Sequence, residues 1–412
     1  MRGWTKTAAG LSLVLLVSVT AVARTGEPAG AVGAPKGEQE IRPSEALELV
    51  PGKPIEREMK GGEAHSYRIT VAAGQYVHVV VDQRGIDVVL VLYGPDGHKL
   101  LEMDSPNGTQ VPEAASLVAQ GSGTYRVGVR SLENDAPPGR YEVRVEPLRL
   151  ATRQDKSRVA AERSFAEAAI LKAQGTADGP RRAIVKYEEA LGLWRGLKDR
   201  LRESYTLEYI GNTYMDLGDR KKALDYYNQA LPTSRAAGDR SGEAVTLDNI
   251  GRVYNALGER QKALDYLNQA LPIQRTVGDR FGEAHTLSNI GWAYAALGEK
   301  QKALDYYSQA LPIHRAVGDH SGEAHTLGDI AFIQRDLGDL VEARALIEEA
   351  LRIIDSLRTK IASQGLRASY FSSVQRYYQF YIDLLMRMHE QHSSEGLDGL
   401  ALGASERARA QR

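Results

Sequence analysis

Four histidines gathered late in the chain come nearest to a chemical motif. His285 and His325 stand 40 residues apart, with His314 and His320 between them. Paired imidazoles ligate zinc-type ions or change charge near neutral pH. No third ligand is spaced to join His285 and His325, so the expectation is a polar position copied between repeats, with no metal and no cofactor. Asp87, Asp96, Asp104 and Asn107 offer the hard oxygens that calcium takes. Loop aspartates more often form turns through their own backbone hydrogen bonds, and that is the role expected here. The phosphate-binding, serine-hydrolase and zinc-protease signatures (Gly-x-x-x-x-Gly-Lys-Ser/Thr, Gly-x-Ser-x-Gly, His-Glu-x-x-His) do not occur. The 412 residues include no cysteine, which removes thiol catalysis, disulfides and cysteine-held zinc. Lys+Arg is 52 and Asp+Glu 53, a net charge of -1, so nothing steers the chain onto nucleic acid. The chain is not expected to be an enzyme.

Two kinds of element must carry these residues. From about 41 to 148 the apolar period is two. It shows at Tyr67, Ile69 and Val71, at Val77, Val79 and Val81, and in two Tyr-x-Val-x-Val runs starting at Tyr125 and Tyr141. Val88 to Tyr93 is continuously apolar, as in a strand covered on both faces. Turn residues at Gly74-Gln75, Gly94-Pro95-Asp96-Gly97, Pro106-Asn107-Gly108 and Pro137-Pro138-Gly139 separate the runs. A small all-β sandwich follows from this spacing.

After Ala151 the period is helical, and a second period of 40 residues is laid over it. Gly211, Gly251 and Gly291 obey it, as do Tyr214, Tyr254 and Tyr294, and Gly218, Gly258, Gly298 and Gly338. A fixed period of this length means stacked repeats. Leu247, Ile250, Gly251, Tyr254 and Leu257 share one helix face, Gly258 ends that helix, and Ala263, Leu264, Leu267, Ala270 and Leu271 line the next. Gly278 closes the second helix and Asp279 can cap the following one. Gly251 and Ala263 are small where two helices are expected to cross closely. Pro232, Pro272 and Pro312 fall inside the second helices, where each removes one backbone bond.

The run Asn249-Ile-Gly-x-x-Tyr254 with Gly258, Ala263, Leu267 and Ala270 resembles the tetratricopeptide repeat (TPR), in its 40-residue form, over 155–360. Four copies begin near Leu201, Ser241, Phe281 and Ser321, after a degenerate one. The resemblance implies an all-α superhelical solenoid that binds a protein or peptide along its first helices. Glu208, Asn212, Asp248, Asn249, Arg252, Asn255, His285, Asn289, Trp292 and His325 then line the groove, beside Tyr205, Tyr209, Met215, Val245, Ser288 and Ala295. Asn249 and Asn289 match the asparagine that grips a bound peptide's backbone in TPR relatives. Trp292 is the expected anchor. In the sandwich, the order of turns and the two Gly-x-Tyr-x-Val strands resemble the bacterial pre-peptidase C-terminal (PPC) type.

The two ends of the chain complete the reading. Arg2 and Lys6, an apolar stretch to about Val22 and Ala21-Val22-Ala23 form a signal peptide over 1–23, too short to span a bilayer. Residues 24–40 read as a flexible linker. The mature protein is expected outside the cytoplasm, periplasmic or secreted, without a stable transmembrane anchor. Beyond 360 a helical tail rich in Tyr370, Phe371, Tyr377, Tyr378, Phe380 and Tyr381 runs into Ser405-Glu-Arg-Ala-Arg409. That ending resembles the helix leading into a CHAT (caspase-like) domain, so the alternative to a scaffold is the sensing arm of a protease whose catalytic domain lies elsewhere.

Overall fold

The computed structural model describes residues 46–103, 112–132, 136–360, 364–391 and 396–409. The signal peptide, the linker, Asp104 and Asn107 lie outside the described residues, as do the side chains of Tyr370 and Phe371. The described chain divides into two compact units between Asp199 and Arg200.

The first unit opens with ten strands: β1 (Leu47–Glu48), β2 (Ile55–Met59), β3 (Ala64–Val71), β4 (Gln75–Arg84), β5 (Val88–Tyr93), β6 (Lys99–Met103), β7 (Glu113–Val118), β8 (Gly123–Ser131), β9 (Gly139–Val145) and β10 (Arg149–Leu150). One sheet runs β1-β3-β8-β5-β6, with β1 parallel to β3. The other runs β10-β4-β9-β2, with β7 also on β4. The alternating runs supply the core: Tyr67, Ile69, Val77, Val79, Val81, Val127, Val129, Tyr141 and Val143 are all buried in one cluster. Val88 to Leu92 is buried on both faces, as its unbroken apolar run requires. Between the sheets Tyr67 and Tyr141 share a 2.5 Å hydroxyl contact, and His65 Nδ1 sits 2.7 Å from the Tyr141 hydroxyl. Burial raises both tyrosine pKa values and lowers that of His65.

Two helices, α1 (Arg153–Ala173) and α2 (Gly179–Leu197), belong to the same unit. Thr152 and Asp155 form a capping box at the start of α1. Arg149 Nη2 donates to Asp155 Oδ1 at 2.8 Å, so the last strand and the cap share a charge pair. Glu162, buried one face further on, accepts from the Ser116 N–H of β7 at 2.9 Å and from its hydroxyl at 3.0 Å. A backbone donor of β7 is thereby satisfied by a helix rather than by water.

The second unit holds α3 (Arg200–Asp216), α4 (Arg220–Ala237), α5 (Arg240–Leu257), α6 (Arg260–Val277), α7 (Arg280–Ala296), α8 (Lys300–Val317), α9 (His320–Leu337), α10 (Leu340–Lys360), α11 (Gln364–Gln391) and α12 (Leu397–Arg409). They pair as hairpins, and the first helices α3, α5, α7, α9 and α11 pack successively on one another. Asp239, Asp279 and Asp319 cap α5, α7 and α9 through the N–H of Gly242, Gly282 and Gly322. Gly258 sits at φ +86°, where a Cβ would be strained. The expected close crossing is present: a Cβ on Gly251 would lie 2.6 Å from Leu267 Cγ. The three prolines lie inside α4, α6 and α8. The architecture is thus an all-β sandwich followed by an all-α solenoid.

The tail is a helix pair. Tyr377, Tyr378, Phe380, Tyr381, Leu384 and Leu385 of α11 and Leu397, Ala401 and Ala404 of α12 share one cluster with α9 and α10. No helix among the described residues is long and apolar enough to cross a membrane.

Candidate functional site

Each first helix offers the same four positions to its neighbour, and the structure sorts them by what they touch. Positions 208, 248 and 288 face the next helix. The Thr246 hydroxyl donates to the Glu208 carboxyl. Thr286 donates to Asp248 at 2.8 Å, and Ser288 and Thr326 are 3.1 Å apart. Asp248 also accepts from Asn289 Nδ2 at 3.2 Å. Asn255 Nδ2 donates to the Asn289 carbonyl at 3.1 Å. Glu208, Asp248, Asn249 and Asn255 are all buried. These four were expected on an open groove; Glu208, Asp248 and Asn255 instead bond between helices, and Asn249 is buried against Arg252 of its own helix. The helical period shows which face they share but not that the neighbouring helix lies against it. Burial, with Asp239 adding like charge, pushes the Glu208 carboxyl up to about 8.

The residues left half-exposed are Tyr205, Tyr209, Asn212, Met215, Val245, Arg252, His285, Ser288, Asn289, Trp292 and Ala295. Several are tied locally. The Tyr227 hydroxyl donates to Asn212 Oδ1 at 2.6 Å, and Arg252 donates to Asn249 Oδ1 at 3.1 Å. The guanidinium carbon of Arg260 lies 4.4 Å from the centre of the Trp292 ring, a cation–π contact that leaves the indole only half-buried.

The face of α9 packs against α11. Tyr377 of α11 meets the His325 ring edge-on at 5.8 Å, Arg376 pairs with Asp329 at 2.9 Å, and Phe380 lies 4.1 Å from Phe332. Burial lowers the His325 pKa. His325 therefore packs against α11.

His285 does gain other company. Its Nε2 is 2.9 Å from Asp319 Oδ2, and His314 Nδ1 is 2.7 Å from the same oxygen. The group that both histidines approach is Asp319, the N-cap of α9, which the sequence reading did not single out. It stands five residues beyond His314, across the turn at Gly318, and this spacing was its only signal. Of the calcium candidates, Asp96 accepts from the His98 N–H at 3.0 Å as a turn former does.

A further motif recurs at the junctions α4–α5, α6–α7 and α8–α9. Glu283 accepts from Arg275 Nε at 2.8 Å and Arg280 at 2.5 Å. Glu243 is held likewise by Arg235 and Arg240, and Glu323 by Arg315 with His320 3.5 Å away. The recurrence of Arg-x-x-Gly-Asp-Arg-x-Gly-Glu was visible; its role as a buried clamp was not.

The chain is similar to RapI in its apo form (17% identity, 63% of this chain and 85% of that one, TM-score 0.48). It is also similar to a Rap protein complexed with competence and sporulation factor (15%, 60% and 78%, TM-score 0.42). A pre-peptidase C-terminal domain of collagenase from Bacillus anthracis matches at 25% identity, over 26% of this chain and 98% of that one, with TM-score 0.22. A search of curated proteins returned no match. The model of the family described as tetratricopeptide repeat matches residues 200–276, 242–316 and 301–356, a span that runs from α3 into α10.

Proposed function

We propose that this protein is an exported, non-catalytic scaffold that holds a polypeptide on the first helices of its repeats, across α5 and α7. One observation carries the reading. On α7, Trp292 is half-exposed with Arg260 over its ring. An aromatic side chain held rigid beside cations and amides is the usual anchor for a peptide ligand. Arg252, one helix earlier at the same repeat position, supplies a charge for backbone carbonyls or acidic side chains of the ligand.

Display of a random peptide library against the intact chain tests this. Enriched peptides should bind wild type and lose at least about tenfold in affinity to Trp292→Ala with Arg252→Ala. Equal loss on changing Asp265 and Gln269, exposed on the outer helix α6, would refute the assignment. Export rests on residues 1–23, and the mature N-terminus should be Arg24. A mature protein still beginning at Met1 would refute export.

A second reading, the sensing arm of a CHAT-type protease, rests on the charged end of α12, Ser405 to Arg409. It requires a larger polypeptide in the source cell, which an antibody against the repeats would reveal by mass.

A further inference from the structure

His285, His314 and Asp319 come from three consecutive elements: the second turn of α7, the last turn of α8 and the cap of α9. One ligand atom from each lies within 4.8 Å of the other two, and no other such group of three occurs among the described residues. The imidazole rings are 5.0 Å apart and nearly perpendicular.

Several details go beyond chance proximity. His314 is 1% exposed, so its position is set by packing. With Nδ1 toward Asp319, its Nε2 faces Ser288 Oγ at 3.2 Å, a hydroxyl able to accept from Nε2–H once Nδ1 holds a metal. Asp319 keeps Oδ1 on the Gly322 N–H at 2.9 Å, leaving Oδ2 for the histidines. The glycine is required there, because a Cβ on Gly322 would lie 2.2 Å from Oδ2 and 2.3 Å from His314 Nδ1. His285 Nε2 is itself buried and, although 2.9 Å from Oδ2, makes no aligned hydrogen bond. The rest of the His285 ring is open, with 41% of the side chain exposed. That opening gives an ion a way in and leaves room for water as a fourth ligand.

The molecule supplies its own comparison. At the preceding junction the same three positions are Val245, Gln274 and Asp279, and at the one before they are Tyr205, Ser234 and Asp239. The aspartate recurs because it caps a helix. Both histidines appear only where α7, α8 and α9 meet.

We propose that His285, His314 and Asp319 form a three-ligand site for a divalent ion of the zinc class, tying α7 to α9 across the α8 turn. Two imidazole nitrogens and one carboxylate oxygen are ligands zinc accepts, at roughly 2.0–2.2 Å each. Tetrahedral ligation at those lengths needs ligand atoms about 3.3 Å apart. The present 2.7 and 2.9 Å separations to Oδ2 reach it by a small outward shift of the half-exposed His285 and the cap.

The test is titration of zinc chloride into the purified full chain, stripped of metal and free of any histidine tag, against a chromophoric chelator. Wild type should bind one zinc ion and gain thermal stability from it. His314→Gln and His285→Val copy the residues of the preceding junction and should stay folded by circular dichroism. Each should weaken zinc by on the order of 100-fold, and Ser288→Ala by about tenfold. His325→Gln, under α11, should bind as wild type does. Absence of one-to-one binding by wild type, or unchanged affinity in His285→Val and His314→Gln, would overturn the proposal. Should His314→Gln fail to fold, His285→Val decides alone, because its side chain is half-exposed.

Discussion

The junctions between hairpins and the faces of the first helices repeat with the same 40-residue period but differ in kind. At the junctions the chemistry is copied almost without change. Glu243, Glu283 and Glu323 are each buried against a cation from the preceding helix. Within the hairpins the same holds: Tyr214–Tyr226, Tyr254–Tyr266 and Tyr294–Tyr306 each stack at 5.5 Å with a lysine beside them. On the first helices, equivalent positions change identity at each step: Glu208, Asp248, Ser288 and Gly328 in one row, Asn212, Arg252, Trp292 and Phe332 in another. A position that only stacks repeats has the same physical task each time. A position that meets a ligand, or the end of the stack, does not. Within one chain, copied positions therefore report the scaffold and divergent ones report what the scaffold is for.

The largest effect expected comes from the divergent row. Glu208 carries a folded pKa near 8 against an unfolded value near 4.5. A raised carboxyl pKa leaves stability intact below about pH 4.5 and removes it progressively as pH rises to about 8. Glu208→Gln is neutral throughout, so its melting temperature should match wild type near pH 4 and exceed it increasingly up to pH 9. The ceiling is several kcal/mol by linkage. A pH-independent difference would show that Glu208 is not buried as described.

Next is the copied class. Gly251→Val places side-chain atoms into Leu267 and should cost about 3 kcal/mol in chemical denaturation. Glu283→Ala leaves Arg275 and Arg280 without their buried partner. Because both guanidinium groups are about half-exposed, the cost should be about 2 kcal/mol. The same change at Glu243 should cost a similar amount, and clearly unequal costs would break the idea that copied positions do one job. Smallest in stability is Trp292→Ala, at about 0.5–1 kcal/mol for a half-exposed ring with one cation contact. It should nonetheless lower peptide binding most. A Trp292→Ala chain as destabilised as Gly251→Val would assign the indole to the core and not to a ligand.

Much of the fold was legible because its determinants are local. Alternation at Tyr67-Ile69-Val71 and Tyr141-Val143-Val145 records which side of a strand faces the core. Gly258 and Gly278 record where a helix must turn left-handed, and Asp279 where the next begins. Short strands escaped this reading. β7 is Glu-Ala-Ala-Ser-Leu-Val, without a clean period, and is held by β4 and by Glu162 from 46 residues away. The candidate site was only half legible. Arg252 and Trp292 kept the half-open positions that their spacing implied, whereas Asn249 and Asn255 turned inward. Asp319 was not singled out at all, and only its counterpart Asp279 was read as a helix cap.

By itself the sequence determined the two element types, the 40-residue register, the helix ends and, through the lack of cysteine, the chemistry that is excluded. Each of these follows from neighbours within a few residues or from copying. Only the tertiary structure decided which polar groups are spent between helices. It also decided that α11 packs against His325 and Phe332, and that His285, His314 and Asp319 converge. Those outcomes depend on pairs 34 to 52 residues apart, such as Asn255 with Asn289 and Tyr377 with His325. A helical period gives each residue's angle about its own axis. It carries no information on how far the next helix is shifted along that axis, and that shift selects the contacts.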